Sequence, residues 1–376
     1  KITVFEARET FLSGTLANFN FQCPDPEPAI LATESVDSNG QRVVTIDESK
    51  ADGAITVGKE TLTDEDGNSF DKLTIRTGAS FQYIDLDTVD KLVYIGTSGD
   101  DEIAIGSGLD NIAIHIDTLG GNDSIAVTSG GLAVGGIYVR GGGDNDEIII
   151  AETALGDLDI DGQDGNDRIM VSSDGSNTVL IHGGRGDDTI IGSEFADEIH
   201  GDGGRDVLYG MGGADTIFGG DLNASETGVN VPNIDDLIFG GDDADEIHAG
   251  SGNDRVFGES GNDILYGEDG DDVLNGGLDI DEVYGGADRD TIVWNYGDGV
   301  DAVWDGGDGS TTTADNYVDT LQINGVLLSD HDNNAKTREI AVPADDVVTL
   351  SRDGSSDNVA ITWTQDGDTG ATNAFT

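Results

Sequence analysis

The sequence predicts an all-β protein, a right-handed parallel β-helix or β-roll solenoid with metal-binding turns and β-rich ends that do not repeat. Three observations predict it. From Gly183 to Val293 the chain repeats a nine-residue unit, as in GMGGADTIF, AGSGNDRVF, GESGNDILY and GEDGDDVLN. From Gly96 a looser form of the same pattern recurs, and its last aspartates step by 23, 21 and 21 residues. Composition agrees, because 57 glycines and only 6% aromatic residues in 376 argue against a thick globular core.

Eleven units share one register, starting at Gly183, Gly192, Gly201, Gly210, Gly219, Gly240, Ala249, Gly258, Gly267, Gly276 and Gly285; the fifth carries an excess of twelve residues. In every unit the sixth position is Asp and the eighth is aliphatic, a regularity that a solvated acidic linker would lack. Glycine-rich first positions suit a tight turn whose carbonyls and Asp carboxylate face one point. The last three residues leave room for a very short strand, and its middle residue (Ile190, Ile199, Leu208, Ile217, Ile238, Ile247, Val256, Leu265, Leu274, Val283, Ile292) points inward. Two turns and two strands close a coil of eighteen residues.

Stacked coils lie about 4.8 Å apart, so aspartates eighteen residues apart, such as Asp188 and Asp206, sit nearly on top of one another. Two carboxylates about 5 Å apart repel by roughly 0.8 kcal/mol in water and about 3 kcal/mol at an effective dielectric of 20. Repeated down two columns, that repulsion disfavours the stack. A hard divalent cation reverses it, and calcium accepts an irregular mix of carboxylates and carbonyls that the octahedron of magnesium tolerates poorly. The candidate ligands are Asp101, Asp110, Asp123, Asp146 and Asp167 in the looser copies, then Asp188, Asp197, Asp206, Asp215, Asp236, Asp245, Asp254, Asp263, Asp272, Asp281 and Asp290. Several calcium ions are therefore expected to be part of the fold.

These units resemble the RTX, or haemolysin-type, calcium-binding repeat GGxGxDxUx, in which U is aliphatic. The resemblance is close over residues 183–293 and looser upstream, together about half the chain. It implies a parallel β-roll with calcium held between successive turns by the sixth-position Asp and turn carbonyls. The fourth position departs from the pattern at Phe195, Asp243, Asp279 and Asp288, where turns are expected to be distorted or to bind calcium less well.

The net charge of −59, from 76 acidic and 17 basic residues, excludes nucleic acid and anionic membrane as electrostatic partners and predicts a need for cations. Cys23 is the single cysteine, so no intramolecular disulfide forms. No apolar run approaches the roughly 20 residues of a membrane-spanning helix. The chain begins at Lys1 without Met or secretory signal and is expected to be processed or a piece of something longer.

In order, residues 1–95 read as an N-terminal β-rich cap, with a short helix within Phe5 to Phe21. Its strand candidates are Arg42 to Ile46, Ala54 to Val57, Lys72 to Arg76, Phe81 to Leu86 and Lys91 to Ile95, with turns at Asn39-Gly40 and Asp66-Gly67. The Asp64-Glu65-Asp66-Gly67-Asn68 run resembles the start of an EF-hand loop but lacks the closing glutamate, and reads as a hairpin turn. Residues 96–182 read as a wider parallel β-helix with coils of about 21 residues and one calcium turn each, including strands Ile112 to Ile116, Ile125 to Thr128 and Ile148 to Ile150. Residues 183–294 form the roll, interrupted by a loop at 221–235 that leaves the stack and returns. Residues 295–376 read as a C-terminal β cap, with Asp301 and Asp319 as weaker ligand candidates.

Calcium turns account for the abundant carboxylate pairs, so no glycosidase-type acid and base stand out. No Gly-x-Ser-x-Gly elbow, metalloprotease helix or phosphate loop is present, and the chain is not expected to be an enzyme. Arg185-Gly186-Asp187 spells an adhesion tripeptide but fills positions that the repeat itself demands. His182, His200 and His248 fall at the outward ninth position with Phe218, Tyr266 and Tyr284; this reads as a surface ladder, although imidazoles there could also bind zinc or copper. Two functions are expected from this. One is a secreted, extracellular calcium-binding structural or cell-surface protein that meets surface polysaccharide or copies of itself through calcium. The alternative is the calcium-dependent folding and secretion module of a larger exported enzyme or adhesin, as served by a type I secretion channel.

Overall fold

The structure is a computed structural model that describes residues 31–295 apart from 51–52, 65, 79, 110, 129–135, 152–156, 173–178 and 221–234, and beyond 295 only residue 298 and the strands. The expected helix within 5–21, the insertion at 221–234, and Asp110, Asp301 and Asp319 lie outside the described residues. What is described is a parallel β-solenoid built from two long sheets of 13 and 15 strands. Among the described residues the only helical segments are two single 3-10 turns, Glu48–Lys50 and Leu86–Thr88. No helix there is long and apolar enough to cross a membrane.

Successive strands alternate between the sheets, and each pairs in parallel with the strand one coil away. In the roll the register step is eighteen residues, as in Leu265↔Val283 and Val256↔Leu274. Upstream it is wider, as in Ile125↔Ile148 and Ile148↔Ile169. Strands Ala113–Asp117, Ser124–Val127 and Glu147–Ile150 lie where the alternating pattern predicts them. The eighth-position residues stack into the core with exposures of 0% from Ile190 to Leu274, then 1% at Val283 and 6% at Ile292. Burying each such side chain contributes about 1.5–3 kcal/mol, and no coil can do so without a neighbour.

Apart from Thr189–Ile191, the strands of the roll are longer than three residues. Ile264–Asp269 runs through positions seven to nine and on to the third position of the next unit. Tyr266 pairs with Tyr284 and Glu268 with Gly286, so Gly267 between them is passed over. The chain bends at that first position, the second turns to positive φ (74° at Glu268), and pairing then resumes. Reading the turn and strand as separate blocks missed this, because one corner residue suffices to redirect the ladder.

The first described coil already winds within the segment expected to be only a cap. Arg42–Asp47 pairs in parallel with Lys91–Ile95, and Ile55–Val57 pairs with Ile103–Ile105. Antiparallel strands cover this end: Ala32–Val36 on one sheet, and on the other the meander Ile55–Thr63, Ser69–Thr77 and Ser80–Asp85. Asp64 forms its hairpin turn, accepting backbone N–H groups of Asp66 and Asn68. At the other end Thr320–Ile323 pairs in parallel with Thr291–Trp294, and Val326–Ser329 closes antiparallel on it. Strands Thr337–Ala341, Val347–Arg352, Val359–Thr364 and Asn373–Ala374 make a separate antiparallel sheet.

Candidate metal centre

Parallel stacking places the sixth-position aspartates in two columns. One comprises Asp101, Asp123, Asp146, Asp167, Asp188, Asp206, Asp236, Asp254, Asp272 and Asp290; its rungs are joined by the backbone N–H of each aspartate donating to Oδ1 of the next, at 2.7–3.0 Å. The second, confined to the roll, joins Asp197, Asp215, Asp245, Asp263 and Asp281 in the same way at 2.8–3.0 Å. All are buried, with exposures of 6% or less. Sequence spacing predicted the stacking; the use of Oδ1 as a rung was not legible in it.

The other oxygen has a different fate. Oδ2 of Asp146, Asp167, Asp188, Asp206, Asp215, Asp245, Asp254, Asp263 and Asp272 is buried and meets no donor among the described residues. A second acceptor faces it. A Cβ built on Gly183 would lie 2.5 Å from Asp188 Oδ2 and 2.8 Å from the carbonyl oxygen of Gly201, one coil on. The corresponding carboxylate and carbonyl oxygens crowd Gly141, Gly162, Gly201, Gly210, Gly240, Gly258 and Gly267. At these first positions glycine leaves room for two acceptors to converge where a side chain would stand; Ala249 is the one unit start that carries a methyl group there. An unpaired buried acceptor costs about 1–3 kcal/mol, and more when charged, so the arrangement calls for a cation.

Titration behaviour points the same way. Burial foremost, then the facing carboxylates of the column, push Asp206 and Asp272 up to about 9, against the lowering effect of the backbone N–H each accepts. The same balance puts Asp188 and Asp215 at about 8 and Asp146 and Asp245 at about 7. Asp236 reaches about 8 by burial and the Asp254 and Asp235 charges. At neutral pH such groups hold either a proton or a metal ion. Oxygen-only donors, carboxylate plus carbonyl, suit calcium.

The first rung of each column is finished differently. Asp101 accepts the Thr97 N–H on Oδ2 (2.6 Å) and the Thr97 hydroxyl on Oδ1 (3.1 Å). Asp197 accepts the Ser193 N–H and hydroxyl in the same way, at 2.6 and 3.1 Å. No earlier aspartate stands behind either; at Asp197 the backbone N–H of Val179, eighteen residues back, also donates to the carboxylate, and at both ends a hydroxyl supplies a further donor. The signal was present as Thr or Ser at the second position of GTSGDD and GSEFAD. Ser193 also closes the irregular Phe195 turn, its hydroxyl accepting the Phe195 N–H at 3.2 Å. Asp243, Asp279 and Asp288 hold the fourth position at φ 75–77°, below the 109–156° of the glycines at Gly186, Gly204, Gly213, Gly261 and Gly270, and Asp245, Asp281 and Asp290 after them keep their rungs, so the altered turns leave the columns continuous. Aspartate is among the few non-glycine residues that visit this conformation readily.

Residues 170–197, 191–223, 233–265 and 266–293 match, in four copies, the family model described as the RTX calcium-binding nonapeptide repeat. These are RTX calcium-binding nonapeptide repeats. No curated protein sequence matches the chain. The RTX segment holds every rung from Asp188 to Asp290, and the wider coils before it continue the first column with the same hydrogen bonding. Calcium is the ion such repeats bind.

Outside the columns, three further ladders line the repeats. Side chains at the fifth position accept the backbone N–H one coil on, through Asp100, Asn122, Asn145, Asn166 and Asp187. At the ninth position His182, His200, Phe218, His248, Tyr266 and Tyr284 stack with centroids 4.4–5.2 Å apart. On the opposite sheet Tyr209, Phe239 and Phe257 do the same at 5.0 and 5.1 Å.

Proposed function

We propose that the chain is an extracellular calcium-binding structural or cell-surface protein whose folding and rigidity depend on calcium. The observation that carries this reading is the buried Oδ2 row, facing a carbonyl row with no donor between them among the described residues. The ligand set is assigned to the column aspartates from Asp123 to Asp290, with Asp101 and Asp197 as hydroxyl-capped ends. Extracellular calcium modules bind at roughly 0.1–1 mM, so such sites stay empty in a low-calcium cytosol and fill outside. That supports export of an unfolded chain followed by folding at its destination.

Calcium also limits how the rod can associate. About ten bound ions would bring some twenty positive charges, which leave much of the net −59 uncompensated, so two rods repel unless divalent ions bridge them. Acidic surface polysaccharide joined through calcium meets that constraint, and so does self-assembly. The ninth-position aromatic row is the surface suited to a dry contact. Light scattering and cell-envelope pull-down at millimolar calcium are expected to show association that chelator reverses. A protein that stays monomeric and ignores envelopes, but cleaves or modifies a polymer, contradicts this function.

A further inference from the structure

Away from the aspartate columns, the ninth-position row brings three metal-ligating side chains together. His182 and His200 pair in register on successive coils, and their rings stack 4.4 Å apart at 14°. Asp202, two residues after His200, sits at φ 69°, and its carboxylate reaches the coil of His182, where Oδ2 lies 2.9 Å from Nδ1. One ligand atom from each of the three residues lies within 4.8 Å of the other two. The side chains are 34%, 23% and 36% exposed for His182, His200 and Asp202, open enough for an ion to enter from solvent. The residues paired with Asp202 on either side are Gly184 and Gly220, so no neighbouring side chain crowds its carboxylate in that row.

The same row supplies an internal comparison. His248 also meets a carboxylate from the next coil, Glu268 Oε1 at 3.0 Å from Nδ1, but the ring stacked above it is Tyr266. A lone imidazole and carboxylate is therefore a recurring surface pair here, and only the first instance adds a second imidazole. Calcium takes oxygen ligands, whereas imidazole nitrogen suits zinc, copper and nickel.

We propose that His182, His200 and Asp202 form a binding site for a divalent transition-metal ion of the zinc type, filled independently of calcium. Zinc bonds to imidazole nitrogen and carboxylate oxygen at about 2.0–2.2 Å, which sets tetrahedral ligand atoms about 3.4 Å apart. Tilting two partly exposed rings by about 1 Å closes the site, with water as the fourth ligand. The ion replaces the His182–Asp202 hydrogen bond and clamps two successive coils from outside.

The test is a titration of the full, calcium-saturated chain with zinc chloride by calorimetry, with cobalt(II) as a spectroscopic substitute. One equivalent of zinc is expected to bind, at least tenfold more weakly in His182→Gln and in His200→Gln and unchanged in His248→Gln. Cobalt is expected to give the visible absorption of a four-coordinate ion, altered in Asp202→Asn. Unchanged circular dichroism of the calcium-loaded variants separates loss of the site from loss of the fold. The proposal is overturned if the calcium-saturated chain takes up no zinc, if His200→Gln binds it as the parent does, or if added calcium displaces it; each outcome leaves the calcium reading untouched.

Discussion

Removing calcium with a chelator at neutral pH is expected to unfold the coils of residues 96–294 and to abolish their β-type circular dichroism, with recovery when calcium returns. Each site adds about 1.4 kcal/mol when free calcium is ten times its dissociation constant, so about ten sites add about 14 kcal/mol. That equals the whole stability of an ordinary domain, about 5–15 kcal/mol. The hydrophobic column cannot substitute for it, because each eighth-position side chain, such as Leu265 or Leu274, is buried only while its neighbouring coils stay stacked. Far-ultraviolet circular dichroism and thermal melting, with and without chelator, measure the effect. An unchanged spectrum and melting temperature would remove calcium from the account of the fold.

Acid is expected to replace calcium in part. In chelator, Asp206 and Asp272 titrate near 9 in the folded chain, and Asp188, Asp215 and Asp236 near 8, against about 3.9 when unfolded. The folded state then binds protons that the unfolded chain has released, so stability falls as pH rises. It is fully present below about pH 4 and is lost progressively as pH climbs through the folded values toward 8–9. Each tenfold difference in proton affinity is worth about 1.4 kcal/mol, and several coupled carboxyls act together. With chelator present, the folded state should therefore be several kcal/mol more stable at pH 5, where a urea transition is expected, than at pH 8, where the coils are expected to be unfolded without urea. With calcium present the slope reverses, because protons and calcium compete for the same oxygens. A chelated chain that is more stable at pH 8 would show that the columns do not carry their charge in the buried position described.

The repeat made the architecture legible because its two strictest positions are the two that the interior constrains: Asp at the sixth and Ile, Leu or Val at the eighth. What stayed hidden depends on single residues at corners. Thr97 and Ser193 cap the columns through their hydroxyls, a role that appears only once Asp101 and Asp197 are seen to lack an earlier rung. The fifth-position ladder from Asp100 to Asp187 is invisible at a period of nine, because the alternate units carry Ala196, Ala214 and Ala244 there. It emerges at the coil period, at which partners actually stack. Winding of Arg42–Asp47 and Ile55–Val57 into the solenoid was hidden too, since apolar alternation there fits an antiparallel cap equally well.

The most direct test of the central claim, that the buried columns hold the calcium, is the number of ions bound at millimolar free calcium, measured by equilibrium dialysis on three variants. Asp254→Asn and Asp263→Asn remove charge from opposite columns yet keep the Oδ1 that accepts the N–H of Asp236 or Asp245. Asp269→Asn removes the same charge from an exposed position. The first two are expected to lose at least one calcium ion each and the third none; equal stoichiometry in all three variants, or an equal loss from Asp269→Asn, would contradict the assignment.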